Sequence, residues 1–362
     1  MDDIIGFDYN TILDNRLFYN YLWKKMYNLI FDKEKKYIIL DFSDLKCIKA
    51  EVLPKLCCLG ILAKRKGVKI EININPVSDV KNFLGEIGFF EIVKQNNIFI
   101  LNEGQIGGNN IPSKVTKAFL CFNGQDMLKK YEAKYTFNEK LDISDKLKYC
   151  IEAEIFGENY LMSPGVITDD MINNSSILKV LSEIYNKNRW LREKKLNELG
   201  LDFTELIHNA IWHGESLCFF SVQAGVYNNK QLGKRFKRID FCVADSGMGL
   251  YNSLQKKDWN TRTTITMPLE DILLLSTEKD KNFYSILEMI YYRANDIDRG
   301  VYDIMKNMEE KEQLTINIIN RNLHMFFRRE GLDSILQNNY RKGIYVCEKE
   351  NMNYGFSMDI SF

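Results

Sequence analysis

An α/β protein of two domains is the fold the sequence predicts, and three observations predict it. Strand-like and helix-like stretches alternate through residues 1–102, a helix followed by two β-rich runs and a glycine turn fills 202–250, and short alternating apolar runs return near the carboxyl end. Chains patterned this way bury their helices against a sheet. At 362 residues there is enough chain for two cores.

Within the first region, apolar spacing from Leu17 to Phe31 predicts an amphipathic helix, and Tyr37 to Phe42 is a short continuous apolar run of the kind buried strands use. A helix is expected over Glu51–Lys66, an alternating strand over Val68–Ile74, a helix over Ser78–Gly88 and a strand near Asn97–Leu101, in a mixed or parallel sheet. Asn102 to Pro112 is dense in turn formers and marks the boundary. Residues 103–175 read as a connector without a catalytic pattern. From Ser176, apolar residues at Ile177, Leu178, Leu181 and Ile184 begin a helix expected to run past Trp190 to Gly200, with serine as its N-cap. Such a helix could lead into the next domain or pair with a second subunit.

Phe203, Leu206, Ile207, Ala210 and Ile211 follow helical spacing, so one face of the next helix is buried. Glu205 and Asn209 stand one turn apart on the opposite, exposed face, a pair able to hold a water and a hydrated cation. Asp202-Phe-Thr-Glu205 also fits a capping box for a helix starting after Gly200. Leu217–Val226 and Arg238–Ala244 read as strands, and the second ends in Asp245-Ser246-Gly247-Met248-Gly249. Such a run makes a plain turn, or it lets the backbone approach a flat ligand while a buried carboxylate accepts a hydrogen bond from an exocyclic amine such as that of adenine.

Glu205-x-x-x-Asn209-Ala210 on a helix, a strand pair, then Asp245-x-Gly247-x-Gly249 resembles the N box and G1 box of the GHKL ATPases. This Bergerat-fold superfamily includes gyrase, histidine kinases and the anti-sigma serine kinases, and the wording here looks most like the anti-sigma kinase branch. The resemblance implies a C-terminal ATP-binding domain over 176–362, a mixed and mainly antiparallel sheet covered by helices on one face. It implies Glu205 as general base, Asn209 as magnesium ligand and Asp245 as the adenine-selecting carboxylate, with Gly247 and Gly249 in the cofactor-binding loop. A lid over ATP is then expected between about Tyr251 and Arg299, and Asp298-Arg-Gly300 looks like a reduced G2 box, with Gly300 opening a phosphate-facing helix. Leu314–Ile319 and Leu323–Arg328 make a strand pair, and Gly355–Phe362 alternates as a closing strand. Where many relatives carry Gly-Thr, this chain has Gly355-Phe356, so the Thr contact to the adenine-binding Asp is lost or moved to Ser357.

Residues 1–102 resemble the STAS domain through Leu40-Asp41-Phe42-Ser43, the loop Leu45 to Ala50, and Gly88-Phe89-Phe90. The Asp-Ser phosphoacceptor of anti-sigma antagonists is absent, since Ile48-Lys49-Ala50-Glu51 stands there. Docking to a protein partner, or dimerisation, is the role left to it.

Composition narrows the rest. Lys+Arg and Asp+Glu both number 49, so no net field favours nucleic acid or an acidic membrane. The basic run Lys234–Arg238 reads as a solvated hairpin end. The 8 cysteines lack metal-ligand spacing and read as reduced core thiols. No apolar run is long enough to span a bilayer and Met1-Asp-Asp has the wrong charge for a signal peptide, which points to the cytoplasm. Enrichment in Ile, Asn, Lys and Tyr suits an AT-rich bacterial genome. None of the 3 histidines precedes the N box, which argues against a kinase that phosphorylates itself. Three functions are open to such a chain: an ATP-hydrolysing signalling switch using Mg2+, a serine/threonine kinase of the anti-sigma type, or a scaffold that holds ATP without turnover.

Overall fold

The computed structural model describes residues 3–101, 117–185, 188–229, 233–250, 252, 278–292, 314–336, 343–348 and 355–361. It is a mixed α/β protein with one parallel and one antiparallel sheet as its two main layers.

The N-terminal unit opens with β1 (Asp3–Ile5) and β2 (Thr11–Leu13). Next come α1 (Asn15–Leu17), a π-turn over Phe18–Leu22, and α2 (Trp23–Phe31). The Asp14 carboxylate accepts from the Leu17 amide and starts this helical run. β3 (Tyr37–Asp41), β4 (Leu45–Ile48), α3 (Val52–Arg65), β5 (Lys69–Asn73), α4 (Asp79–Glu86), α5 (Phe89–Gln95) and β6 (Ile100–Leu101) complete the unit. The sheet runs β1-β3-β5-β6, every pairing parallel, and β2 pairs separately with β4. The segment Leu45–Ile48, read as loop from the sequence, is therefore strand.

The expected connector is an integral layer of the C-terminal unit. Its described part contains β7 (Lys117–Phe122), α6 (Gly124–Glu132), α7 (Ile143–Phe156) and α8 (Asp169–Asn174). Phe122, Leu147, Ile151, Phe156 and Met171 pack into one core with the C-terminal helices and strands. Then come α9 (Ser176–Ser182), α10 (Arg189–Gly214), β8 (Cys218–Asn229), β9 (Lys234–Asp245) and α11 (Glu278–Tyr292). The chain closes with β10 (Thr315–Asn320), β11 (Leu323–Arg328), α12 (Arg329–Leu336), β12 (Ile344–Glu348) and β13 (Phe356–Ser361). Sheet order is β12-β11-β10-β13-β9-β8-β7, and each of these pairings is antiparallel rather than mixed.

The predicted single helix from Ser176 to Gly200 is two. α9 is capped by Ser175, and α10 starts afresh with Asn188, whose side chain accepts from the Leu191 amide at 3.2 Å. The capping-box reading of Asp202 and Glu205 falls with it, because both lie deep inside α10.

The sheet is covered on both faces, not one. Ile239, Phe241 and Val243 of β9 join the core built with α7, α9 and α10, while Cys242 and Ala244 join Phe119, Phe219 and Ile319 in the core built on α3. α3 is buried at every position from Val52 to Ala63. A helix apolar all round is a buried helix, and this one lies between the two sheets. Its one charge in that stretch, Lys55, meets Asp359 of β13 at 2.5 Å, with 0% and 8% side-chain exposure. Among the described residues no helix is long and apolar enough to cross a membrane.

Candidate functional site

α10 carries the first half of the site. Phe203 anchors it to the sheet, its ring 5.0 Å from that of Phe220 and 4.8 Å from that of Phe241. Gly200 is held against Phe156, where a Cβ would come within 2.3 Å of the ring. On the side facing α7, Ser144 Oγ lies 3.0 Å from His208 Nε2, and Lys148 Nζ lies 3.1 Å from Glu205 Oε2. The other Glu205 oxygen accepts from Asn209 Nδ2 at 3.0 Å. The pairing of Glu205 with Asn209 is as the spacing predicts. The exposed position is not, since Glu205 is only 2% exposed beneath α7. Asn209 stands about 100° further round the axis than His208 and stays partly accessible.

Asp245 supplies the second half. It ends β9, pairs in register with Phe356 of β13, and is 3% exposed. Its Oδ1 accepts from the Gly247 amide at 2.7 Å. Burial raises its pKa to about 7, against the opposing pull of the Gly247 and Phe356 amides and the Arg65 charge. Asp245 thus takes a hydrogen bond from the Phe356 backbone amide, and the side-chain contact expected to be lost or moved to Ser357 is not at Ser357, which sits opposite Ala244 on the alternate face toward α3.

α10 and this loop meet at Gly214 and Gly247. A Cβ on Gly247 would lie 2.1 Å from the Gly214 carbonyl oxygen, so only glycine lets the loop close onto the helix end. Gly249 has φ +77°, the left-handed region, and sits against Arg321. Just beyond, the Leu250 amide donates to Asn320 Oδ1 at 3.0 Å, and Asn320 Nδ2 donates to the Asn282 carbonyl at 3.3 Å. From the N-terminal unit, the Arg65 guanidinium donates to the Ser246 carbonyl.

The structure therefore brings Asp245, Gly247 and Gly249 to the end of the helix bearing Glu205 and Asn209. Gly300 and most of the expected lid lie outside the described residues. Sequence reading missed Lys148, Arg65 and Asn320. Lys148 and Arg65 are two among several neighbouring cations, Lys146 beside the first and Lys64 and Lys66 beside the second, and nothing in the chain singles them out, while Asn320-Arg-Asn322 was legible only as a hairpin turn.

The donor set fits an adenine nucleotide with magnesium. A buried carboxylate suits an exocyclic amine, and Ser246 Oγ, its chain neighbour, is buried with no hydrogen-bond partner among the described residues. Among the described residues no three His, Cys, Asp or Glu side chains cluster for a metal, so magnesium here would take ligands from Asn209, water and phosphate oxygens. No family model matches the chain, and no curated protein or solved structure matches it either.

Proposed function

We propose that the chain binds ATP with Mg2+ at this site and works as a signalling switch of the GHKL type, with residues 176–362 as a Bergerat-fold ATP-binding domain and the STAS-like N-terminal unit facing a protein partner. The observation that carries the reading is the closure of the Asp245–Gly249 loop onto the end of α10, the helix of the Glu205–Asn209 pair, through the glycine contact of Gly247 with Gly214. A carboxylate for the base and a carboxylate–amide pair for the phosphate end are thus parts of one construction.

In this reading Asp245 accepts a hydrogen bond from the adenine amino group. Asn209 holds magnesium, which when bound neutralises charge between the phosphates. Glu205 is fixed by Asn209 and Lys148, and from there takes the proton of the attacking water. The same pairing favours a second reading, a scaffold that binds ATP without turnover, because an attacking water must compete with partners that both Glu205 oxygens already have.

Radiolabelled ATP with the full-length protein separates the two. Phosphate release that Glu205→Ala abolishes, with MgATP still raising the thermal midpoint, supports the switch. Thermal stabilisation without release supports the scaffold. Asp245→Asn removes nucleotide binding under both, and unchanged MgATP affinity in that variant rejects the site.

A further inference from the structure

Asp245 is held by a group on the other side of the sheet. The amide that donates to its Oδ1 at 2.7 Å belongs to Gly247, and the carbonyl of that same peptide unit is the Ser246 carbonyl that accepts from Arg65. A peptide unit is a rigid plane with its C=O and N–H pointing in opposite directions. Fixing the oxygen therefore aims the hydrogen. A guanidinium on the carbonyl also polarises the unit and strengthens the N–H as a donor. Gly247 has no Cβ, so the orientation of this peptide is set by these two end contacts together with the packing of the loop on Gly214. The anchor is firm: Arg65 ends α3, which is buried from Val52 to Ala63 and pinned by Lys55 to Asp359 on β13, the strand hydrogen-bonded to β9.

We infer that Arg65 is a positioning residue for Asp245, acting through the Ser246–Gly247 peptide, so that selection of the purine by the C-terminal unit depends on a side chain from the N-terminal unit. This rests on the nucleotide reading above and adds to it the element that sets base specificity. Arg65 is solvent-exposed over much of its length, so its removal opens no cavity. An unlocked peptide lets the Asp245 carboxylate turn, which harms recognition of an adenine amino group more than general affinity for a triphosphate.

The test compares ATP and GTP affinities, with Mg2+, by calorimetry on the full-length protein and its Arg65→Lys, Arg65→Gln and Arg65→Met variants. The expected result is a preference for ATP that falls about tenfold in Arg65→Met, with GTP affinity unchanged and partial recovery in Arg65→Lys. Thermal midpoints of all four proteins should agree within a few degrees, separating positioning from stability. If wild type prefers ATP, Asp245→Asn no longer binds it and Arg65→Met keeps the full preference, the inference fails while the nucleotide reading stands. If wild type binds neither nucleotide, both fail.

Discussion

Asp245 sets two opposing forces against each other, and pH reads the balance. Burial favours its protonated form and brings the pKa to about 7, while the proposed contact to an adenine amino group needs the ionised form as acceptor. Below pH 7 the nucleotide must therefore displace a proton to bind. Affinity for MgATP should rise with pH, approaching about one log unit per pH unit on the acid side, and level off above neutrality. Calorimetry from pH 5.5 to 8.5 measures this, and a flat profile would reject Asp245 as the base-reading group. Folding carries the opposite sign: the folded pKa lies above the ordinary carboxylate value, so stability from this group is fully present below about pH 4 and is lost as pH rises through 7, by up to about 4 kcal/mol. At this scale the sequence was a good guide. A carboxylate at a strand end before alternating glycines was legible as a buried turn acceptor, and Asn209 beside Glu205 followed from spacing alone. Burial of Glu205 was not legible, because nothing near it in the chain announces that α7 and Lys148 cover that side of α10.

Among the elements, α3 is the one whose placement decides most. Its Lys55 is wholly buried; desolvation pulls its pKa down, and the Asp359 carboxylate overrides that and holds it up, so the ammonium stays charged. Two carboxylates from different elements act on this cation, Asp359 on β13 and Glu51 at the start of α3, and Asp240 on β9, itself paired with Arg238 at 2.6 Å, acts in turn on Glu51. Glu51 responds to the crowding. Burial, then the nearby carboxylates, raise its pKa to about 7 against the pull of Lys55. Lys55→Met alone should destabilise the protein by roughly 3–5 kcal/mol, since it strands Asp359 without a counter-ion, whereas Lys55→Met with Asp359→Leu should recover most of that. Urea unfolding of the two variants checks it; equal losses would mean that the pair does not act as a unit. The limits of reading elements from sequence show in α10. Gly200 and the Asp202–Glu205 spacing look like a helix end and a new cap, yet Gly200 is there because Phe156 leaves no room for a Cβ, and the helix continues through it. Tertiary packing overrode the local signal.

At the scale of the whole molecule, the two units share a core, so neither is a free module. Strands were legible because alternation and β-branched content are local, but the partner of each face is not. β9 shows the point: Ile239, Phe241 and Val243 alternate as a one-sided strand would, while Cys242 and Ala244 between them are apolar enough to be buried too, and they are, against α3. The apolar run of α3, broken only by Lys55, was the matching signal, and a helix with no polar face needs cover on all sides. Cutting the chain between the units would leave Phe119, Phe219, Cys242, Ala244 and Ile319 in water on one sheet face, with Asp359 facing solvent without Lys55. An exposed apolar sheet face of this kind drives association. A fragment spanning 117–361 should therefore be aggregated or molten when expressed alone, and adding residues 1–101 as a separate chain during refolding should restore a soluble complex. Sedimentation, with far- and near-ultraviolet circular dichroism, tracks both steps. A monomeric fragment with a sharp thermal transition and intact near-ultraviolet signal would show that the sheet is stable without α3, and the N-terminal layer would then be a detachable domain rather than half of the core.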